Sequence, residues 1–237
     1  MTIAAIQFPE AVFAVLGVLV LIAIVWAVHF ASVRRREALA ALADRLGLRF
    51  DARRDRRHDD EYSHFEVFRQ GHSRAAYNTI SGTITLVGRE CRIKTGDFTY
   101  TVNHGKSSTA FNLSYLILHL PFEAAPDLLI RREGVFDKLA GAFGFPDINF
   151  ESSEFSRRFH VRCRDRKFAY DVVTPRMMEF LLATDPGVID IERARLCMTD
   201  GTRRWTPEEF ESRIRWVGDF LARWPEHVTA ALEAGSR

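Results

Sequence analysis

Gly105-Lys106-Ser107 carries the residue types that close a phosphate-binding loop: a lysine for phosphate charge and a hydroxyl for a metal ion. Such a loop also needs a glycine five residues ahead of the Gly-Lys pair, a strand before it and a helix after it. Tyr100 stands at the glycine position, and the residues after Ser108 alternate like a strand. The segment therefore reads as a hairpin loop, with Lys106 and the loop amides as a candidate anion contact. His58, Asp59, Asp60, Glu61 and His64 are metal-ligand types, but their spacing matches no metal motif. There is no H-E-x-x-H, and Gly71-His72-Ser73 lacks the nucleophile-elbow pattern. His72, His104, His119, His160 and His227 are scattered. Glu151, Glu154 and Asp171 lie near Arg157 and Arg158, so ion pairing accounts for them economically. Phe143, Phe145, Phe150, Phe155 and Phe159 carry no ribonucleoprotein signature and read as core. The sequence thus assigns no catalytic residue, no metal and no cofactor.

The element that locates the protein lies at the N-terminus. Ala11 to Phe30 is an unbroken apolar run without Asp, Glu, Lys or Arg. As a helix it spans about 30 Å, the hydrocarbon thickness of a bilayer. A cleavable signal peptide needs a basic n-region and a shorter core. Here Glu10 precedes the run and Arg34-Arg35-Arg36 follow it. A helix apolar all round is also a poor match for a soluble core. Basic residues stay on the cytoplasmic side, so the expectation is a single-pass inner-membrane protein with its N-terminus outside and its large domain cytoplasmic. His29, close to the inner end, reads as an interfacial residue.

Between Arg34 and Arg57 nine arginines face Glu37, Asp44, Asp51 and Asp55. This neck is first a topology signal, and Arg34, Arg35 and Arg36 are the candidate lipid-headgroup contacts. A net charge of +2 gives no mandate for nucleic acid. Cys91, Cys163 and Cys197 stand apart and odd in number, which suits a reducing compartment. The Asn112-Leu113-Ser114 sequon falls in a strand pattern on the expected cytoplasmic side and is discounted.

The remaining chain is long enough for a sizeable core. Leu39, Leu42, Ala43 and Leu46 keep helical spacing up to Gly47, and the segment from 51 to 63 reads as a polar linker. Strand patterns follow at Phe65 and Val67, at Ser73 to Ile80, at Thr83 to Glu90 after a turn at Ser81-Gly82, at Cys91 to Asn103 and at Ala110 to Leu120. A helix is expected over Val135 to Phe143, strands over Asp147 to Glu151 and Phe159 to Cys163, and a helix over Asp165 to Val173. Thr174-Pro175 starts the next helix. Strands at Val188 to Ile191 and Arg195 to Met198 precede an Asp200-Gly201 hairpin leading to Thr202 to Trp205. Thr206-Pro207-Glu208-Glu209 is a capping box, and Trp224-Pro225 ends or kinks the last helix.

From Ile148 to Val161 the chain reads E-S-S-E-F-S-R-R-F-H-V after Ile-Asn-Phe, and Thr174-Pro175-Arg176-Met177-Met178 follows. These segments, with Gly71 to Asn78 and Asp97 to Thr101, resemble a family of bacterial single-span membrane-anchored proteins of unknown function. Gly105-Lys106-Ser107 falls within that family's loop pattern. The resemblance implies a membrane location and no activity or catalytic residue.

The expectation is therefore an α+β protein. It comprises a tail (1–10), a transmembrane helix (11–30), a basic juxtamembrane helix (31–47), a cytoplasmic domain with an antiparallel sheet and packed helices (48–232) and a C-terminal tail (233–237). Its expected partners are the bilayer and a protein or a second copy of itself. A non-catalytic binding or scaffolding module is the leading reading. An enzyme with a site near 103–108, or an anionic-lipid sensor working through the neck, is the alternative.

Overall fold

The computed structural model describes residues 7–134 and 146–235. The first helix, α1 (Gln7–Arg45), runs unbroken from the apolar run into the basic neck. It is long and apolar enough to cross a membrane, and its Val12 to Phe30 side chains lie exposed outside the domain. Its last turns have a different role. Leu39, Leu42 and Ala43 are fully buried in the main core, each leucine worth about 1.5–3 kcal/mol of apolar burial. The long apolar helix is therefore also a core helix at its C-terminal end, and the folded unit begins well before residue 48. Gly47 takes a left-handed conformation (φ +67), which lets the Leu48 N–H return to the Ala43 carbonyl at 2.8 Å and stops the helix.

Eight strands form one antiparallel sheet: β1 (Arg49–Asp51), β2 (His72–Leu86), β3 (Arg89–His104), β4 (Ser107–His119), β5 (Leu128–Arg132), β6 (Phe159–Cys163), β7 (Val188–Glu192) and β8 (Arg195–Thr199). Their spatial order is β1-β2-β3-β4-β8-β7-β5-β6. Alternation along the strands creates two buried faces. Ile93, Leu116, Leu118, Ile130, Ile189 and Leu196 point to the main core. Phe98, Tyr100, Leu113, Tyr115, Ile117 and Cys197 point to a smaller aromatic cluster.

The end of α1 packs on the main core with α3 (Ser153–Arg158), α4 (Arg166–Val172), α5 (Pro175–Thr184), α6 (Pro207–Leu221) and α7 (Glu226–Ala234). Side-chain caps hold several of these helices at their starts. Thr174 accepts from the Met177 N–H, and Thr206 and Glu209 form a reciprocal capping box.

Several local expectations are corrected. Ser81-Gly82 is no turn: β2 passes straight through it, and the reversal falls at Val87-Gly88. Phe65 and Val67 do not alternate in a strand. A 3₁₀ turn (Glu66–Arg69) buries Val67 and Phe68 together. Asp147 to Glu151 lies outside any strand: its backbone reaches β6 through the Ile148 N–H to the Val161 carbonyl, and the Asp147 carboxylate holds His160 and Arg162 there. Thr202 to Trp205 is no hairpin strand either; the β7–β8 turn is at Arg193-Ala194. The helix expected at Val135 to Phe143 lies outside the described residues.

Candidate functional site

The densest polar cluster lies where α1 meets the sheet. Asp97 of β3 and Ser114 of β4 stand opposite each other in register and face the main core. Asn78 joins them through a bulge in β2 between Tyr77 and Ile80, where Asn78 itself is left-handed (φ 51), a conformation asparagine tolerates well. Gly96 permits this: a Cβ there would lie 2.9 Å from the Asn78 carbonyl oxygen. Four hydrogen bonds converge on the fully buried Asp97 carboxylate. Arg35 of α1 donates through Nε (2.8 Å) and Nη2 (2.6 Å), Asn78 through Nδ2 (3.0 Å) and Ser114 through Oγ (2.8 Å). Arg35 Nη1 donates to the Trp205 carbonyl at 2.9 Å, and the Trp205 N–H donates back to Ser114 Oγ at 2.9 Å. The fork geometry of guanidinium on carboxylate fixes angle as well as distance. The pair thus clamps α1, just beyond its apolar run, to the sheet.

Beside the clamp is a cavity of about 460 Å³, within the range of small-ligand pockets. Arg36, Arg54 and Arg204 line it together with Tyr77, Asn78 and Asn112, and Val28 and Ala31 of α1 give it an apolar wall. No carboxylate lines it, and among the described residues none of these three arginines is in an ion pair. Tyr77 Oη donates to Asn112 Oδ1 at 3.2 Å, while Arg54 lies over the Tyr77 ring at 5.7 Å. Burial raises the Tyr77 phenol above its ordinary pKa, so it stays a neutral hydrogen-bond donor. A more open cavity of about 550 Å³ at the β1–β2 edge shares Arg54 and also has Arg49, but it contains the carboxylates Asp51 and Asp55; there Arg53 pairs with Asp51, and Lys94 with Asp55 and Glu61.

The sequence candidates fall in different places. Arg35 turns inward and is committed to Asp97, which leaves it unavailable to a headgroup. Arg36 lines the cavity. Arg34 lies exposed over the Phe30 ring, 4.5 Å from its centroid. Lys106 is exposed at the tip of the tight β3–β4 hairpin, where His104 and Ser107 pair, apart from the arginine-lined cavity. No group of three or more His, Cys, Asp or Glu among the described residues is placed to hold a metal. Three strongly shifted groups, Asp190, Cys197 and Tyr115, are sealed in the sheet, whereas Glu192 at the end of β7 is only half-buried. Burial raises the Asp190 carboxyl, the Cys197 thiol and the Tyr115 phenol, and it raises Glu192 to about 7, helped by the Asp127 charge.

His58, expected in a polar linker, is instead fully buried at the start of α2 (His58–Glu61). Its ring packs among Tyr62, Phe68, Phe98 and Tyr115, with centroids 4.6–5.8 Å away, and neither ring nitrogen has a hydrogen-bond partner. Burial, then the Lys94 charge, pushes its pKa well below the ordinary value. The unfolded chain therefore takes up a proton near pH 6.5 that the folded chain refuses, and stability falls as pH drops below that point. His64, lowered to about 4 mainly by burial, acts in the same direction. Glu192 and Asp190, both raised, act oppositely, so the diagnostic quantity is a difference between variants. His58→Phe should remove about 1.4 kcal/mol of the loss between pH 7.5 and 5.5, measured by denaturant unfolding at both pH values. An unchanged pH slope would mean that His58 takes up its proton equally in the folded and unfolded chain, and would overturn the burial effect.

The sequence offered partial signals for this site. Asp97 is a lone acid inside a β-rich run, at a position whose neighbours two residues away face the core. Arg54 is one of the nine neck arginines with nothing local to single it out, and Arg204 carries no local signal, because only the fold brings it to α1.

No family model matches the chain, and no curated protein matches it either. Among solved structures, the crystal structure of the mycobacterial trehalose monomycolate transport factor A, TtfA, is similar in fold. Its TM-score is 0.51 at 13% identity, covering 81% of this chain and 95% of that chain. At that identity the likeness is one of fold alone.

Proposed function

We propose that the protein is a single-pass, membrane-anchored binding module that holds its ligand or partner at the membrane surface without covalent chemistry. One observation carries this reading: the Arg35–Asp97 clamp makes the membrane helix part of the domain, so the cavity beside it sits at a fixed place relative to the bilayer. Two others support it. Asp190 and Cys197, two of the most strongly shifted groups, are sealed away from solvent, and the fold is similar to that of a transport factor. Membership of the bacterial single-span family, and association with a protein or a second copy, belong to the same proposal.

The proposed orientation places the domain in the cytoplasm, because the basic residues flanking the span follow it. Protease added to spheroplasts should leave the C-terminal domain intact, and added to inverted vesicles should digest it. The reverse pattern would overturn the orientation. Native mass spectrometry of the full-length chain released from nanodiscs tests the binding reading. A ligand or partner retained stoichiometrically and chemically unchanged is expected, whereas a bound species converted to product over time would mark an enzyme.

A further inference from the structure

The cavity beside the clamp has a composition that selects for one chemistry. Its three guanidinium groups, from Arg36, Arg54 and Arg204, come from three separate stretches of chain. No carboxylate neutralises them there, and the fourth lining arginine, Arg35, already has Asp97. Tyr77 and Asn112 add neutral hydrogen-bonding groups. Guanidinium forks suit tetrahedral oxyanions, above all phosphate. The apolar wall specifies where that phosphate comes from. Val28 belongs to the apolar run and Ala31 to the turn that follows it, so the cavity spans the level at which acyl chains give way to headgroups. A soluble phosphate has no use for such a wall, while a lipid has a chain to lay along it.

We propose that this cavity is a binding site for the phosphate headgroup of an anionic phospholipid drawn from the same membrane, gripped by Arg36, Arg54 and Arg204 with its acyl chain along Val28 and Ala31. The inference rests on the membrane-anchored reading above. It gives that reading a ligand class and locates it outside Arg34 and Lys106, the other candidate anion contacts. Near a membrane surface each basic residue contributes about fivefold in affinity for an anionic lipid, so removing all three should weaken retention about a hundredfold.

The test uses the full-length chain in nanodiscs of phosphatidylcholine with phosphatidylglycerol, read by native mass spectrometry. One phosphatidylglycerol should be retained by the parent chain. It should be lost from the R36Q/R54Q/R204Q variant and kept by R166Q/K167Q/R176Q, which removes equal charge from α4 and α5, away from the cavity. Equal retention by both variants overturns the site, as does no retention by the parent chain. Displacement of the lipid by millimolar inorganic phosphate would assign the cavity to soluble phosphate and overturn the lipid source. Spin labels at A27C and S108C, measured in the same nanodiscs, separate this inference from the reading beneath it. A narrow distance distribution without bound lipid sinks the lipid site alone, and a broad one also removes the fixed anchor on which the site depends.

Discussion

Asp97→Ala is expected to destabilise the domain by about 3–5 kcal/mol, the cost of stripping one partner from a buried ion pair. The carboxylate is fully buried and accepts four hydrogen bonds, two of them from Arg35. Without it, a guanidinium that is only 17% exposed is left with a backbone carbonyl and a serine hydroxyl. For a unit of this size the loss corresponds to a fall in Tm on the order of 10 °C, measured on the full-length chain in nanodiscs. Arg35→Met should cost as much, because it leaves Asp97 as an uncompensated buried charge. The double variant should cost far less than the sum, because it removes both charges at once. Small, additive losses would mean that the helix is held by its leucines alone.

Trp205→Ala is the second large effect, at about 3–5 kcal/mol. This indole is fully buried, meets Phe210 edge-on at 5.2 Å and donates from Nε1 to Asp200 Oδ2 at 3.0 Å. Its backbone carries both Arg35 and Ser114 bonds, so the cavity left by alanine should loosen the clamp as well as the core. Trp205→Phe keeps most of the ring. It gives up only the indole donor, since Arg203 and Arg213 still hold Asp200, and should cost about 1 kcal/mol. Thermal unfolding checks the order. A phenylalanine variant as unstable as the alanine variant would shift the weight from ring volume to the Asp200 bond. The coupling between Arg35 and Asp97 should also shrink in the Trp205→Ala background, and an undiminished coupling would separate the tryptophan from the clamp.

The legible parts of the fold are those written in local pattern. The apolar run, the Thr174 and Thr206 caps and the end of α1 at Gly47 all depend on residues within a few positions of one another, and each is found where the sequence places it. Where tertiary contact outweighs local pattern, the reading fails. Gly82 looks like punctuation, yet strand pairing with Ile93 carries β2 through it. His58 sits among charged neighbours, yet four aromatic rings, from the residue that ends α2 and from β3, β4 and the 3₁₀ turn, enclose it. The three neck arginines look equivalent in sequence, but helical geometry points them in different directions, so one is used in the clamp, one lines the cavity and one covers Phe30. The cavity is the extreme case: Arg36, Arg54 and Arg204 are far apart in the chain and share no motif.

The absence of a joint in α1 has a mechanical consequence. On the membrane-anchored reading proposed above, α1 continues from lipid into a packed core and acts as a lever, so any change of tilt within the bilayer is passed directly to the sheet. Tilt is how a span accommodates a membrane thinner or thicker than itself. A domain riding on such a lever leans toward the lipid where the membrane is thin and stands upright where it is thick. Membrane thickness would then set how near the cavity mouth comes to the headgroups.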